Sequence, residues 1–441
     1  MPAHFAKRSL ASKISLVCRY CLGAVIASVF ALLALQAIAF QTFHIPSGSM
    51  APTLHGHHRV CTCPNCGHGV TVGRASADRD GSGQARYYRK AFCPNCGTYP
   101  IPVADAPEVP GDQIQVNKST YLMRSPWRWE IVVFRLFGIH FIKRLIGLPG
   151  EEIRIHDGDV YVNGQLLRKS PAEARAMRVL VFDHDRAPSG GWKDRWETHF
   201  SPGGQRGAIQ LDGRASPAML TYRHLLSGSG KCEPIRDEYA YNGGVYADSE
   251  CVHDFLIEAE IEASPGRGSL SLRLCDGRDW VEVVVPIGAS RPVEAFAWPI
   301  DAPAQTRKLT DTNRNLSLRA KQRYRVEMAF VDRRLSLAVD GRVWLETDLP
   351  AVKKRRGVER PFQVQADGVQ VSLQGFRLYR DVHYGQQGTN AVGGKVVRLG
   401  VDQYFMLGDN SPNSEDSRFW PDDGCIGAAC LIGPVLRVRR N

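Results

Sequence analysis

Residues 139–151 read Ile139-His-Phe-Ile-Lys-Arg-Leu-Ile-Gly-Leu-Pro-Gly-Glu151, and residues 44–54 read His44-Ile-Pro-Ser-Gly-Ser-Met-Ala-Pro-Thr-Leu54. In the first stretch Lys143 follows Phe141-Ile142 and precedes Leu145-Ile146, a strand pattern closed by a Leu-Pro-Gly turn. In the second, two prolines and a glycine exclude a helix, and an extended backbone would turn Ser47 and Ser49 the same way. A third stretch, Met406-Leu-Gly-Asp-Asn-Ser-Pro-Asn-Ser-Glu-Asp-Ser-Arg418, is a polar loop dense in side chains that bond to backbone. A serine hydroxyl needs a base to become a nucleophile. A lysine among apolar side chains loses its proton more easily, because burial disfavours the ammonium. Lowering its pKa from about 10.4 to about 8 costs roughly 3 kcal/mol.

In this order the three stretches resemble type I signal peptidases (leader peptidases). The resemblance covers roughly a third of the chain: Ile45–Leu54, Ile131–Arg135, Phe141–Gly150 and Gly408–Arg418, framed by Gly111–Lys118 and Asp157–Gly164. It implies that Ser49 is the nucleophile and Lys143 the general base. Ser47 and the Ser49 N–H then form the oxyanion hole, and Ser414 orients the lysine amine. Gly408, Asp416 and Arg418 would shape the loop, the last two as an ion pair. It also implies cleavage after small residues at −1 and −3 of exported preproteins, whose extended chain would lie beside Ser47–Met50 as an added strand. Two departures touch loop shape, not the reaction. Arg128-Trp129-Glu130 stands where Arg-Gly-Asp is common, and Ser411-Pro412 where Arg-Asp often follows Gly-Asp-Asn.

Tyr20–Phe40 carries no charge over 21 positions and is preceded by Lys7, Arg8, Lys13 and Arg19, with no acidic residue before position 40. About 20 such residues span a bilayer core, and the basic flank places the N-terminus in the cytoplasm. The expectation is a single-pass anchor in the cell membrane with an extracytoplasmic catalytic domain, close to the bilayer and to the translocation machinery. A cleavable signal peptide is the alternative.

Cys63-Pro-Asn-Cys66-Gly and Cys93-Pro-Asn-Cys96-Gly are near-identical knuckles, the pattern of a zinc ribbon holding a structural metal on Cys63, Cys66, Cys93 and Cys96. Disulfides are the alternative in an oxidising compartment. Cys61 and His68 could substitute as ligands, and Cys425 and Cys430 could close a small disulfide loop. Catalysis itself calls for no cofactor.

Between Asn163-Gly164 and Val396 lies a long insert. Phe255–Glu262, Gly268–Leu274 and Trp280–Val285 alternate with period two, and Asp340-Gly341 is a hairpin turn. Residues 250–385 resemble a concanavalin-type jelly roll, with a glycan or protein as its ligand if it binds one. Glu258, Glu260 and Glu262 read as a solvated strand face, and Lys353–Arg356 as a solvated basic loop that could also meet anionic lipid.

The expected fold is mainly β: a signal-peptidase-type antiparallel core split by a zinc ribbon and a concanavalin-like sandwich. The parts are a cytoplasmic 1–19, a membrane helix 20–40, core segments 41–60, 109–169 and 391–441, a ribbon 61–108, an insert 170–249 of unclear fold, and a sandwich 250–390. The 441 residues are 43% hydrophobic and 23% charged, which excludes a disordered, fibrous or polytopic membrane protein. The net charge of +11 fits nucleic acid or anionic lipid. No stacking motif or recognition helix accompanies it, so nucleic acid is not expected. Two other functions fit parts of the sequence: a membrane-anchored carbohydrate- or protein-binding protein with an inactive peptidase core, and a Ser–Lys protease of the self-cleaving repressor type. The complete set of catalytic side chains argues against the first, and the anchor against the second.

Overall fold

A computed structural model describes residues 10–74, 87–188, 195–198, 207–225, 231–244 and 249–440. Leu10–Ala39 is a 30-residue helix rich in Ala and Leu, and it runs directly into the strand Phe40–His44. The side chains of residues 17–30 are exposed, and Ala39 at its end is half-buried. Among the described residues no helix is long and apolar enough to cross a membrane, so the fold does not by itself establish the span expected at 20–40.

The core of the molecule outside the insert is a seven-stranded sheet assembled from distant parts of the chain. Its order is Phe40–His44, Gln113–Asn117, Leu431–Arg439, Ile131–Leu136, Ile139–Gly147, Gln403–Leu407, Ile426–Gly427. All pairings are antiparallel, with Val132 opposite Lys143 and Leu407 opposite Arg144. A four-stranded sheet, Gln165–Leu166, Asp159–Val162, Glu152–His156 and Val397–Arg398, adjoins it. Asn163 and Gly164 both take positive φ (51° and 76°) in the two-residue hairpin of that sheet, the conformation such a turn requires. Gly111 permits a close approach, since a Cβ there would lie 1.9 Å from the Ile45 carbonyl oxygen.

The insert folds as two seven-stranded antiparallel sheets. One holds Val179–Asp183, Gln370–Arg380, Phe255–Ala263, Arg323–Val331, Arg334–Val339 and Arg342–Asp348, with Ala208–Asp212 also paired to Gln370–Arg380. The other holds Trp196–Thr198, Ala218–Tyr222, Phe362–Asp367, Gly268–Cys275, Asp279–Ile287, Arg291–Pro299 and Arg307–Leu316. Phe182, Phe255, Leu272, Val283, Phe330 and Phe376 fill the layer between them. Each such side chain contributes about 1.5–3 kcal/mol on burial. The sandwich therefore begins at Val179, not near 250. Its first strands are short, and Val179–Asp183 and Ala208–Asp212 pair with Gln370–Arg380 far along the chain, so no local pattern marks them.

Asp340 (φ 49°) and Gly341 (φ 77°) form the expected hairpin turn. Glu258 and Glu262 face Arg325 and Arg323 across neighbouring strands, at 3.0 Å in each case. The basic loop differs from expectation. Arg355 is buried and bonds Asp157 (3.0 Å), Asp159 (2.8 Å) and Asp254 (3.4 Å), joining the sandwich to the core. Beside it Lys169 binds Asp332 and Asp381 at 3.0 and 2.8 Å.

Candidate active site

The segment that carries Ser47 and Ser49 leaves the edge strand at His44 and is pinned at once by bonds from Ile45 N–H to the Asp112 carbonyl (3.0 Å) and from Asp112 N–H to the His55 carbonyl (2.8 Å). Residues 47–54 are a run of turns, closed by Ala51 N–H to Gly48 (3.0 Å) and Leu54 N–H to Met50 (2.9 Å), and not the extended stretch expected. Pro46, Gly48 and Pro52 bend the chain. Met50, Ala51 and Leu54 anchor the turns in the interior, Ser49 is half-buried, and Ser47 is exposed.

The strand Ile139–Gly147 carries Lys143 beneath this turn. Its Nζ lies 2.6 Å from Ser49 Oγ although 94 residues separate them, and Lys143 is only 3% exposed. Burial pulls the Lys143 ammonium down to about 8, while Asp416 pulls the other way. About a tenth of the amine is therefore neutral at pH 7, and half near pH 8, able to take a proton. Next to it, Arg144 grips Asp409 through two parallel bonds, the Nε one at 2.7 Å, and donates to the Trp129 carbonyl. Thr53 Oγ1 also binds Asp409, at 2.5 Å.

The loop 408–418 closes the far side. Asn410 N–H donates to the Ser49 carbonyl (3.0 Å), and Asn410 Nδ2 donates to the Gly48 carbonyl (2.9 Å). A Cβ on Gly408 would sit 2.1 Å from Ser414 Oγ and 2.6 Å from the Ser49 carbonyl oxygen, so only glycine fits. Ser414 Oγ is buried with no hydrogen-bond partner among the described residues. Asp416 accepts from Gly408 N–H (3.1 Å) and pairs with Arg418 (2.9 Å), both fully buried. Burial raises the Asp416 carboxyl, but Arg418 holds it below the ordinary range. Ser49, Lys143, Gly408 and Ser414 thus meet at one place, with Asp416 and Arg418 behind them.

The four knuckle cysteines also converge. Cys63 and Cys96 sulfurs lie 3.6 Å apart, as do Cys66 and Cys93, and all four lie within 4.8 Å of one another. Tetrahedral zinc with bonds of about 2.3 Å separates its sulfurs by about 3.8 Å, so four thiolates fit a structural metal. A disulfide needs about 2.05 Å, and all twelve cysteines are free thiols, Cys425 and Cys430 included. Both knuckles use one turn: Gly67 N–H returns to Cys63 and Gly97 N–H to Cys93, each 2.9 Å, with both glycines at positive φ. Cys61 and His68 lie outside the cluster.

The family model of signal peptidase, peptidase S26, matches residues 98–198 and 336–438, one block on each side of the insert's middle. Over these two blocks the chain resembles the signal peptidase family, with the middle of the insert between them. A probable signal peptidase I-2 of Synechocystis sp. is 47% identical over 64 residues, 13% of this chain and 29% of that protein. Signal peptidase I T of Bacillus subtilis is 34% identical over 90 residues, 18% of this chain and 47% of that protein. The chain thus spans less than half the length of these curated relatives. Among solved structures, the carbohydrate-binding module CBM66 of Bacillus subtilis aligns with 42% of this chain and 94% of its own, at 13% identity and a TM-score of 0.26.

The two departures from the signal peptidase pattern have local reasons. Trp129 takes φ 70°, a conformation natural to glycine, and its ring receives the Lys169 ammonium at 4.9 Å. Ser411 Oγ accepts from Arg418 (2.8 Å) and from Gly385 N–H (2.9 Å), bonding the loop to the chain that leaves the sandwich. Arg144, Asp409 and Asn410 were not singled out from sequence, although they adjoin Lys143 and Gly408. Tyr239, Tyr241 and Asn242 also reach the site, and nothing in their sequence context marks them.

Proposed function

We propose that this protein is a membrane-anchored serine endopeptidase that removes N-terminal signal peptides from exported preproteins. The observation that carries the reading is the 2.6 Å contact between Ser49 Oγ and a buried Lys143. Neutral Lys143 takes the hydroxyl proton as Ser49 attacks the scissile carbonyl. It returns that proton to the leaving amine, then activates water to release the acyl group. The Ser49 N–H and the Ser47 hydroxyl serve the oxyanion, a role worth about 10²–10³ in rate per donor. The buried Ser414 hydroxyl, which has no hydrogen-bond partner among the described residues, is available to orient the amine, and Gly408, Asp416 and Arg418 fix the loop. Cys63, Cys66, Cys93 and Cys96 hold a structural zinc that takes no part in the reaction, since four thiolates leave no open position.

An apolar edge supports placement at a bilayer. Leu122, Met123 and Trp127 after the strand Gln113–Asn117, and Phe137 and Ile139 at the tip of the hairpin, are all exposed. The pairings Phe40↔Asn117, Leu431↔Phe134 and Leu136↔Ile139 put Phe137 and Ile139 at the end of the sheet from which the N-terminal helix departs, and Leu122 and Met123 follow Asn117 from that end. Lys143 lies four residues from Ile139, about 13 Å at 3.3 Å per residue, so the dyad would work just above the membrane surface. There a translocating preprotein presents its cleavage site.

The reading is tested by incubating the full chain with preproteins in detergent and determining the N-terminus of the product. Cutting is expected at one bond, following small residues at −1 and −3. Absence of a product from every preprotein tried favours the binding-protein alternative.

A further inference from the structure

The insert does not merely interrupt the catalytic core, because one of its turns reaches into the nucleophile loop. Residues Ala240–Asn242 form a single turn ended by Gly243 at φ 84°, and a Cβ at Gly243 would collide with the Tyr88 ring beside the cysteine knuckles. The side chains of this turn are spent on the active-site loops. Asn242 and Asn410 exchange two amide hydrogen bonds, each 2.8 Å, with both residues buried. Asn410 is the residue whose N–H and Nδ2 hold the Ser49 and Gly48 carbonyls. Tyr239 OH donates to the Asp409 carbonyl at 2.9 Å. The Tyr241 ring stacks on His55 at 5.6 Å, and its hydroxyl donates to the His57 carbonyl at 3.3 Å. That ring covers Gly48, where a Cβ would lie 2.1 Å from it. The turn is fastened to the sandwich by Arg380, which pairs with Asp237 at 3.0 Å and packs over the Tyr239 ring at 4.4 Å.

We propose that Asn242, assisted by Tyr239 and Tyr241, is a positioning residue of the peptidase reaction, supplied by the insert, and that it acts on Ser49 through Asn410. The chemistry is specific. A primary amide meets another with one donor and one acceptor on each side, so the pair fixes which way the Asn410 amide faces. With Asn242 present, Asn410 Nδ2 is held on the Gly48 carbonyl. Without it, the Asn410 carbonyl oxygen loses its donor, the amide can rotate, and the Gly48–Ser49 backbone loses a constraint in a dry site. Displacements of about 1 Å in a catalytic constellation can cost about 10²-fold in rate. On this account the sandwich cannot be removed as a detachable module, because its Arg380 carries the turn that sets the nucleophile.

This inference rests on the peptidase reading, and its test separates the two. Cleavage of a preprotein is followed for the full-length protein and for Asn242→Ala, Asn410→Ala and their double variant. Tyr239→Phe is included as a substitution that keeps the ring and loses only the hydroxyl. Asn242→Ala is expected to lower kcat about 10-fold or more, with KM within about twofold and the melting temperature and metal content close to wild type. Tyr239→Phe is expected to lower kcat several-fold. In the Asn410→Ala background, Asn242→Ala should cost less than about twofold more, because its effect passes through that residue. Wild-type kcat in both Asn242→Ala and Tyr239→Phe, or a full additional loss in the double variant, overturns the inference while leaving the peptidase reading intact. A wild type that cuts no preprotein overturns both.

Discussion

Lys143 gathers the chemistry into one side chain. It sits between Ile142 and Arg144 on a strand, yet two residues that differ by one position have opposite fates. Arg144 is held charged by Asp409, whereas Lys143 has Ser49 as its nearest partner and is lowered to about 8 by burial. The sign follows from which form works. Only the neutral amine accepts a proton, so kcat/KM for preprotein cleavage should rise with pH through a single limb near 8 and level off above it. A pH–rate profile with its limb near 6.5 would assign the base to a histidine instead. Stability runs the same way, because the folded protein releases this proton about 2.5 pH units before the unfolded chain, and it gains stability between pH 8 and 10.5. The residue types were legible in sequence, since a lysine among apolar neighbours and a serine in a Pro-Gly turn each have a physical reason. That they touch was not, because no local pattern couples positions 94 apart.

At the scale of elements, the knuckles are the most legible part. Each is a closed local turn whose bonds span at most five residues, and the second repeats the first. Four thiols within 4.8 Å of one another hold their geometry only if something balances the charge of the thiolates. The full chain is therefore expected to carry about one zinc per molecule by native mass spectrometry. Cys63→Ser should lose most of it and lower the melting temperature, with the loss of cleavage following the loss of fold. Full metal content in that variant would count against the four-cysteine site. Sandwich strands were legible where they alternate over eight or nine residues, as in Phe255–Ala263. They were missed where they are three to five residues long, as in Trp196–Thr198 and Val179–Asp183. Such short strands are defined by their partners more than by their own composition.

The whole molecule is organised by contacts that span most of its length. Arg355 belongs to a run of four basic residues, which reads as a solvated loop, yet it is buried against Asp157 and Asp159 of the core, 198 and 196 residues away. Burial drives Asp254 and Asp381 up to about 7 in the same network, with Arg355 and Lys169 opposing it. Charges of this kind are stable only as a set, since an unpaired buried ion costs several kcal/mol. Sequence patterns report how a segment meets water and say little about which distant segment will neutralise it, so core and insert looked like separate parts. On the proposed function, these parts assemble one Ser–Lys peptidase. The most direct measurement is preprotein cleavage by the full chain beside Ser49→Ala and Lys143→Ala, each verified as folded. The wild type is expected to cleave, and both variants to lose at least about 10³-fold in rate. Cleavage that survives either substitution would contradict it.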